Sequence, residues 1–167
     1  MDEDSVVWDE AYSVGLPHID EQHKKLVSMI NDLFEVCKRE NSSIKVAFAR
    51  AFGNAVEYAQ THFQAEEEYL KQAGYPALPE HKKEHESFMT EIWKQFSKFK
   101  EDSAAAIGLP RFLKKWLLNH IAVKDKQYAA FLGGIVARRQ QLRLLENRSN
   151  QRDNFLIGIK NPDTSDP

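Results

Sequence analysis

Cys37 is the only cysteine in the 167-residue chain, so no internal disulfide staples it and its stability must come from a packed core. Glycine and proline are scarce, at seven and six, which argues against many short strands joined by tight turns. No uninterrupted apolar run approaches the roughly 20 residues that a membrane span requires. The opening Met1-Asp2-Glu3-Asp4-Ser5 is acidic where a secretory leader would be basic and then apolar. Excess charge is missing too, since a formal net charge of −2 gives no general attraction for nucleic acid or anionic lipid. These absences create the expectation of a cytoplasmic protein built on one domain, with no nucleic-acid and no membrane partner.

What the chain does have is helical periodicity, with apolar residues recurring every three or four positions. A first helix is expected over 20–39, with Asp20 as N-cap and Ile19, Leu26, Ile30, Leu33, Phe34 and Cys37 as its buried stripe. After a break at Asn41-Ser42-Ser43, a second helix is expected over 44–73, ending at Gly74-Tyr75-Pro76, where glycine terminates and proline prevents resumption. A third is expected over 79–100 and a fourth from Leu109-Pro110 to Leu132, before Gly133-Gly134. Four amphipathic helices with short connections pack most simply as an all-α, up-down-up-down four-helix bundle spanning 1–132. Residues up to Leu16 lack a sustained period and are expected to form an extended N-terminal arm. Residues 133–167 carry 6 basic and 4 acidic side chains, against 17 and 21 in residues 1–132. That C-terminal extension is expected to be helical over 135–148 and disordered over 161–167. It is also the natural place for a protein partner or self-association.

The stripes of all four helices are interrupted by the same residue type. His23 falls between Ile19 and Leu26, and steps of four from Tyr58 reach His62 and Glu66. Steps back from Phe88 reach His85 and His81, and His120 follows Trp116-Leu117. Five of the six histidines therefore point inward, with at least one carboxylate. A single inward histidine is ordinarily a core residue satisfied by a neighbour. Burying five without a common partner would leave several unsatisfied donors and acceptors, each costing about 1–3 kcal/mol. A metal ion removes that cost, because a neutral imidazole gives one nitrogen to the ion and donates the other N–H to a nearby acceptor. The i, i+4 pairs His62/Glu66 and His81/His85 put both members on one helix face, which suits shared ligation.

The runs Trp8-Asp9, Ile19-Asp20-Glu21-Gln22-His23, His62-Phe63-Gln64-Ala65-Glu66-Glu67, His81-Lys82-Lys83-Glu84-His85 and His120-Ile121-Ala122-Val123-Lys124-Asp125 resemble the hemerythrin family, specifically its bacterial members. The resemblance covers about 6–132. It implies two non-haem iron ions (Fe2+/Fe3+) joined by an oxo or hydroxo bridge. His81, His85 and His120 are implied on one iron, His23 and His62 on the other, and Glu66 and Asp125 across both. One position then stays open on the iron with two histidines, and dioxygen is the implied ligand there. Leu26, Phe63, Trp116 and Ile121 match apolar positions lining that pocket, although ordinary bundle packing accounts for them equally well. Tyr128 is a weaker candidate for the same lining.

A histidine-rich set stabilises high-valent iron less than the glutamate-rich sets of ferritin-like oxidases, whose paired Glu-x-x-His motifs this chain lacks. The expected function is therefore reversible dioxygen binding for storage or delivery, not enzymatic turnover. The alternatives are an oxygen or redox sensor signalling through the extension, and a di-iron enzyme handling peroxide or nitric oxide. Asp125 poses a separate problem. Five α-helical steps turn it about 140° away from His120, so a regular helix cannot aim both at one centre. Either the helix contains a wider π-type turn around 121–124, or it is rotated so that Asp125 reaches in from its margin.

Overall fold

A computed structural model describes residues 5–38, 44–101 and 107–160. Its helices are α1 (Pro17–Cys37), α2 (Ile44–Gln72), α3 (Leu78–Glu101), α4 (Gly108–Asn119) and α5 (Lys126–Lys160). A six-residue π segment, His120–Asp125, joins α4 to α5 without a break. The main packing pairs are α1 with α2, α2 with α3, α3 with α4, and α4 with α1, which closes an up-down-up-down four-helix bundle. No helix among the described residues is long and apolar enough to cross a membrane.

Chain contacts divide into two compact units, Met1–Ala129 and Ala130–Pro167. In the second, the helix expected over 135–148 runs on to Lys160, and Val136, Leu142, Leu144 and Leu145 along it are exposed. The expected break at Asn41–Ser43 and the expected disorder of 161–167 lie outside the described residues.

Aromatic packing fills the bundle on the side away from the histidines. Phe52 stacks on Phe96 and Phe48 tilts against Phe99, both at centroid separations of 4.2 Å. Leu33, Phe34, Ile92 and Leu109 complete this fully buried layer. At the other end, α2 stops as its glycine dictates. Gly74 sits at φ 69°, the Tyr75 N–H donates to the Leu70 carbonyl at 3.0 Å, and the Gly74 N–H donates to the Lys71 carbonyl at 3.1 Å. This is the Schellman pattern of helix termination.

Two expectations about the N-terminus are corrected. Helix α1 begins at Pro17, with Leu16 as N-cap, so Asp20 lies inside the first turn and does not cap it. Proline suits that first position because its missing N–H would be unbonded there in any case. The arm is also not simply extended, since Asp9 caps a 3-10 turn over Glu10–Tyr12 by accepting from the Ala11 N–H. Asp20 is freed to hold this arm. Its carboxylate accepts from the Val14 N–H and from the Ser13 hydroxyl, each at 2.7 Å. Farther out, Asn31 exchanges two hydrogen bonds of 2.9 Å with the Val6 backbone, and Val6 and Val14 join the core. Replacing Asp20 by alanine strands the buried Val14 N–H, so Asp20→Ala should cost about 1–3 kcal/mol in urea unfolding of the metal-free protein.

Candidate metal centre

Every helix of the bundle contributes to one buried polar cluster. It comprises His23 from α1, His62 and Glu66 from α2, His81 and His85 from α3, and His120 and Asp125 at the two ends of the π segment. All seven are buried. The i, i+4 spacing stacks the paired residues of α2 and α3 as helical geometry requires. The spacing of five works only because of the π segment. The Lys126 N–H donates to the Ile121 carbonyl five residues back, and this wider turn brings Asp125 round to the face that His120 occupies. Of the two arrangements open from sequence, the structure contains the wide turn.

Distances divide the cluster into two groups that share their carboxylates. His85 Nε2 and His120 Nε2 lie 3.1 Å apart, and Glu66 Oε2 is 3.3 Å from His81 Nε2 and 3.4 Å from His85 Nε2. His62 Nε2 approaches the same Glu66 oxygen from the other side at 3.9 Å. Asp125 is split between the groups. Its Oδ1 is 3.2 Å from His120 Nε2 and 3.7 Å from His81 Nε2, whereas its Oδ2 is 3.3 Å from His23 Nε2. Among the described residues, Glu66-His81-His85-His120 and His23-His62-Glu66 form sets whose ligand atoms all lie within 4.8 Å of one another.

Several of these atoms meet without bonding. Both nitrogens of His23, Glu66 Oε1 and both oxygens of Asp125 are buried with no hydrogen-bond partner. The histidines hold both carboxyls of the cluster low. Burial pushes the Glu66 carboxyl up, but hydrogen bonds from His81 and His85 outweigh it and hold the group well below the usual carboxylate range. Burial and the neighbouring Glu66 charge push Asp125 up, and the close approach of His120 and His23 outweighs them and brings it down. Burial drives His62 down to about 4, which keeps that imidazole neutral and its Nε2 lone pair available. Orphaned nitrogen and carboxylate lone pairs around two anions fit a cation, and imidazole with carboxylate suits first-row divalent metals including iron.

The outer nitrogens of two histidines are already anchored. His62 Nδ1 lies 2.8 Å from Gln22 Oε1, and His85 Nδ1 lies 2.8 Å from Glu67 Oε1, while the other Glu67 oxygen, Oε2, pairs with Lys82 Nζ at 3.0 Å. Each anchor directs Nε2 inward, the arrangement that orients metal-binding imidazoles. From sequence Glu67 reads first as part of a solvated face and second as a residue that could orient a ligand; in the structure it is only 20% exposed and fixes His85. Gln22 stands within the run that resembles the family but takes no role there, and its position three residues after Ile19, at the margin of the inward stripe, was the available signal. Glu68 is exposed and bonds Gln72. His18, the histidine outside the inward stripes, is exposed and rests edge-on against Tyr69.

Three of the four expected apolar pocket residues share a cavity. Leu26, Phe63 and Trp116 line a space of about 30 Å³ together with Ala59, Phe88 and Leu117, among others. Phe63 stacks on His85 at 3.9 Å and Trp116 stacks on His120 at 4.3 Å, so the cavity wall and the cluster are in contact. Ile121 is fully buried in the core but does not line this cavity. Tyr128 is also fully buried, with its ring edge-on to His81 and away from the cavity. Burial pushes its phenol pKa up, and the charges of Glu66 and Asp125 add to the effect. Removing the His85 anchor tests whether the cluster is organised for metal. Glu67→Ala should weaken ferrous-ion binding about 10–100-fold in an anaerobic titration, with little change in helix content.

Residues 14–132 match the model of the Hemerythrin HHE cation binding domain. Bacteriohemerythrin of Stenotrophomonas maltophilia is 32% identical over 124 residues, covering 74% of this chain and 79% of that protein. A hemerythrin-like protein of Naegleria gruberi is 31% identical over 132 residues, covering 75% and 92%. A crystal structure of wild-type hemerythrin aligns with a TM-score of 0.66 at 26% identity, over 75% of this chain and 95% of that one. Together with the buried histidine and carboxylate cluster, these likenesses support a non-haem iron, oxygen-binding domain. The chain belongs to the hemerythrin family.

Proposed function

We propose that the chain binds dioxygen reversibly at a pair of non-haem iron ions, as a store or carrier and without catalytic turnover. The observation that carries this reading is the division of Asp125, whose two oxygens face different histidine groups. With Glu66 it would span two ions. His81, His85 and His120 would hold one ion, and His23 and His62 the other. Bound ferrous iron supplies the redox chemistry, because two such ions together hold the two electrons that dioxygen takes up and returns.

The chain's own residues set the conditions for that exchange. Five histidines and two carboxylates give few anionic ligands, which favours return of the electrons over oxidation of an organic substrate. Leu26, Phe63 and Trp116 present apolar surface beside the histidines, and a cavity of about 30 Å³ offers small uncharged molecules space without polar partners. Water entering there finds little to hydrogen-bond, so proton delivery to the centre is slow. Tyr128, held as a neutral phenol, keeps its proton and adds no anion.

Anaerobically reduced, iron-loaded protein should develop a visible charge-transfer band on exposure to oxygen and lose it when oxygen is removed, over repeated cycles. Loss of the band after one cycle, or sustained peroxide or nitric oxide consumption, would favour an enzyme. Leu26→Ala enlarges the cavity at the centre and should shorten the oxygenated lifetime several-fold, with iron content unchanged. An unchanged lifetime would remove Leu26 from the access route.

A further inference from the structure

The N-terminal arm touches the cluster's least regular element. Its 3-10 turn, Glu10–Tyr12, packs against the π segment. Lys126 joins the two by both of its nitrogens. Its backbone N–H closes the wide turn onto the Ile121 carbonyl, and its ammonium donates to the Ser13 carbonyl of the arm. Ser13 is held in turn by Asp20 of α1, through its hydroxyl at 2.7 Å. The arm is thus tied to α1 on one side and to the end of the π segment on the other.

A π turn has weaker backbone hydrogen bonding than α-helix and does not propagate by itself. Were it to relax into α register, Asp125 would rotate by about 100°, the turn of one residue, and would no longer face both histidine groups. Something must oppose that relaxation in the folded chain. On the outer side the segment meets the arm, and its Lys124 Nζ also pairs with Glu84 Oε1 of α3 at 2.9 Å.

We propose that the N-terminal arm is a positioning element for Asp125. The 3-10 turn and the Lys126–Ser13 bond brace the wide turn at His120–Asp125, and so hold the Asp125 carboxylate between His23 on one side and His81 and His120 on the other. The consequence for metal rests on the reading of Asp125 as a shared ligand, whereas the bracing is a property of the metal-free chain. Lys126 acts through Asp125 and is a positioning residue.

Hydrogen exchange on the full-length, metal-free protein tests the bracing. Lys126→Met keeps the aliphatic stem at a half-buried position, and its amides over 121–126 should exchange about tenfold faster, the worth of one hydrogen bond from a charged group. Exchange along α3 should stay at the wild-type rate. In an anaerobic ferrous titration, the same variant should bind the first ion normally and the second about tenfold more weakly. Lys126→Arg, which retains a cationic donor, should stay near wild type in both measurements. Unchanged exchange over 121–126, or equal acceleration throughout the bundle, would overturn the proposal. If the wild-type chain binds a single ion, or Asp125→Ala retains two, the ligand reading fails and the exchange result alone decides the bracing.

Discussion

Two carboxylates and five imidazoles gather in the interior of a bundle whose other buried side chains are apolar apart from Asp20, among the described residues. Their desolvation is the constraint around which the rest of the molecule is arranged. Histidines from four helices crowd Glu66 and Asp125 and hold both carboxyls below their usual range against the pull of burial. The histidines in turn gather at Nε2, with His85 and His120 too close for two protonated nitrogens to face each other comfortably. Protein groups alone satisfy this set incompletely, as the orphaned atoms of His23, Glu66 and Asp125 record. Metal ions between the nitrogens and oxygens would convert the same arrangement from a cost into ligation that stabilises the fold.

Helical register explains which parts of this arrangement come without effort. Spacings of four serve α2 and α3, so those helices stay regular while presenting two ligand-type residues each. A spacing of five does not, and α4 yields to a π segment where Asp125 must face inward. The irregularity lies beside the N-terminal arm, a segment without helical periodicity whose own conformation depends on Asp20 and Asn31. An apolar layer of stacked phenylalanines at the far end, by contrast, tolerates no such departures.

Much of the bundle was legible in sequence because helical stripes are a local signal: Phe48, Phe52, Phe96 and Phe99 sit where their spacing puts them. The five histidines were legible for the complementary reason, as polar residues in an apolar register. Asp125 was not, since regular geometry turns it away, and family resemblance with the spacing conflict together pointed to a wide turn. The arm was misread because a buried carboxylate at Asp20 and a 3-10 turn arise from contacts between segments distant along the chain, which periodicity does not encode. Glu67 and Gln22 were obscured differently. Each lies at the margin of its helix face, where the same residue serves as surface or as histidine anchor according to its neighbour.

The central claim is that the cluster is built for two metal ions sharing Glu66 and Asp125. Elemental analysis of folded protein reconstituted anaerobically with excess ferrous iron and freed of loosely bound metal tests it most directly. Two irons per chain and a higher unfolding temperature than the metal-free form are the expected result. A single iron per chain, or a fully stable protein that retains none, would contradict it.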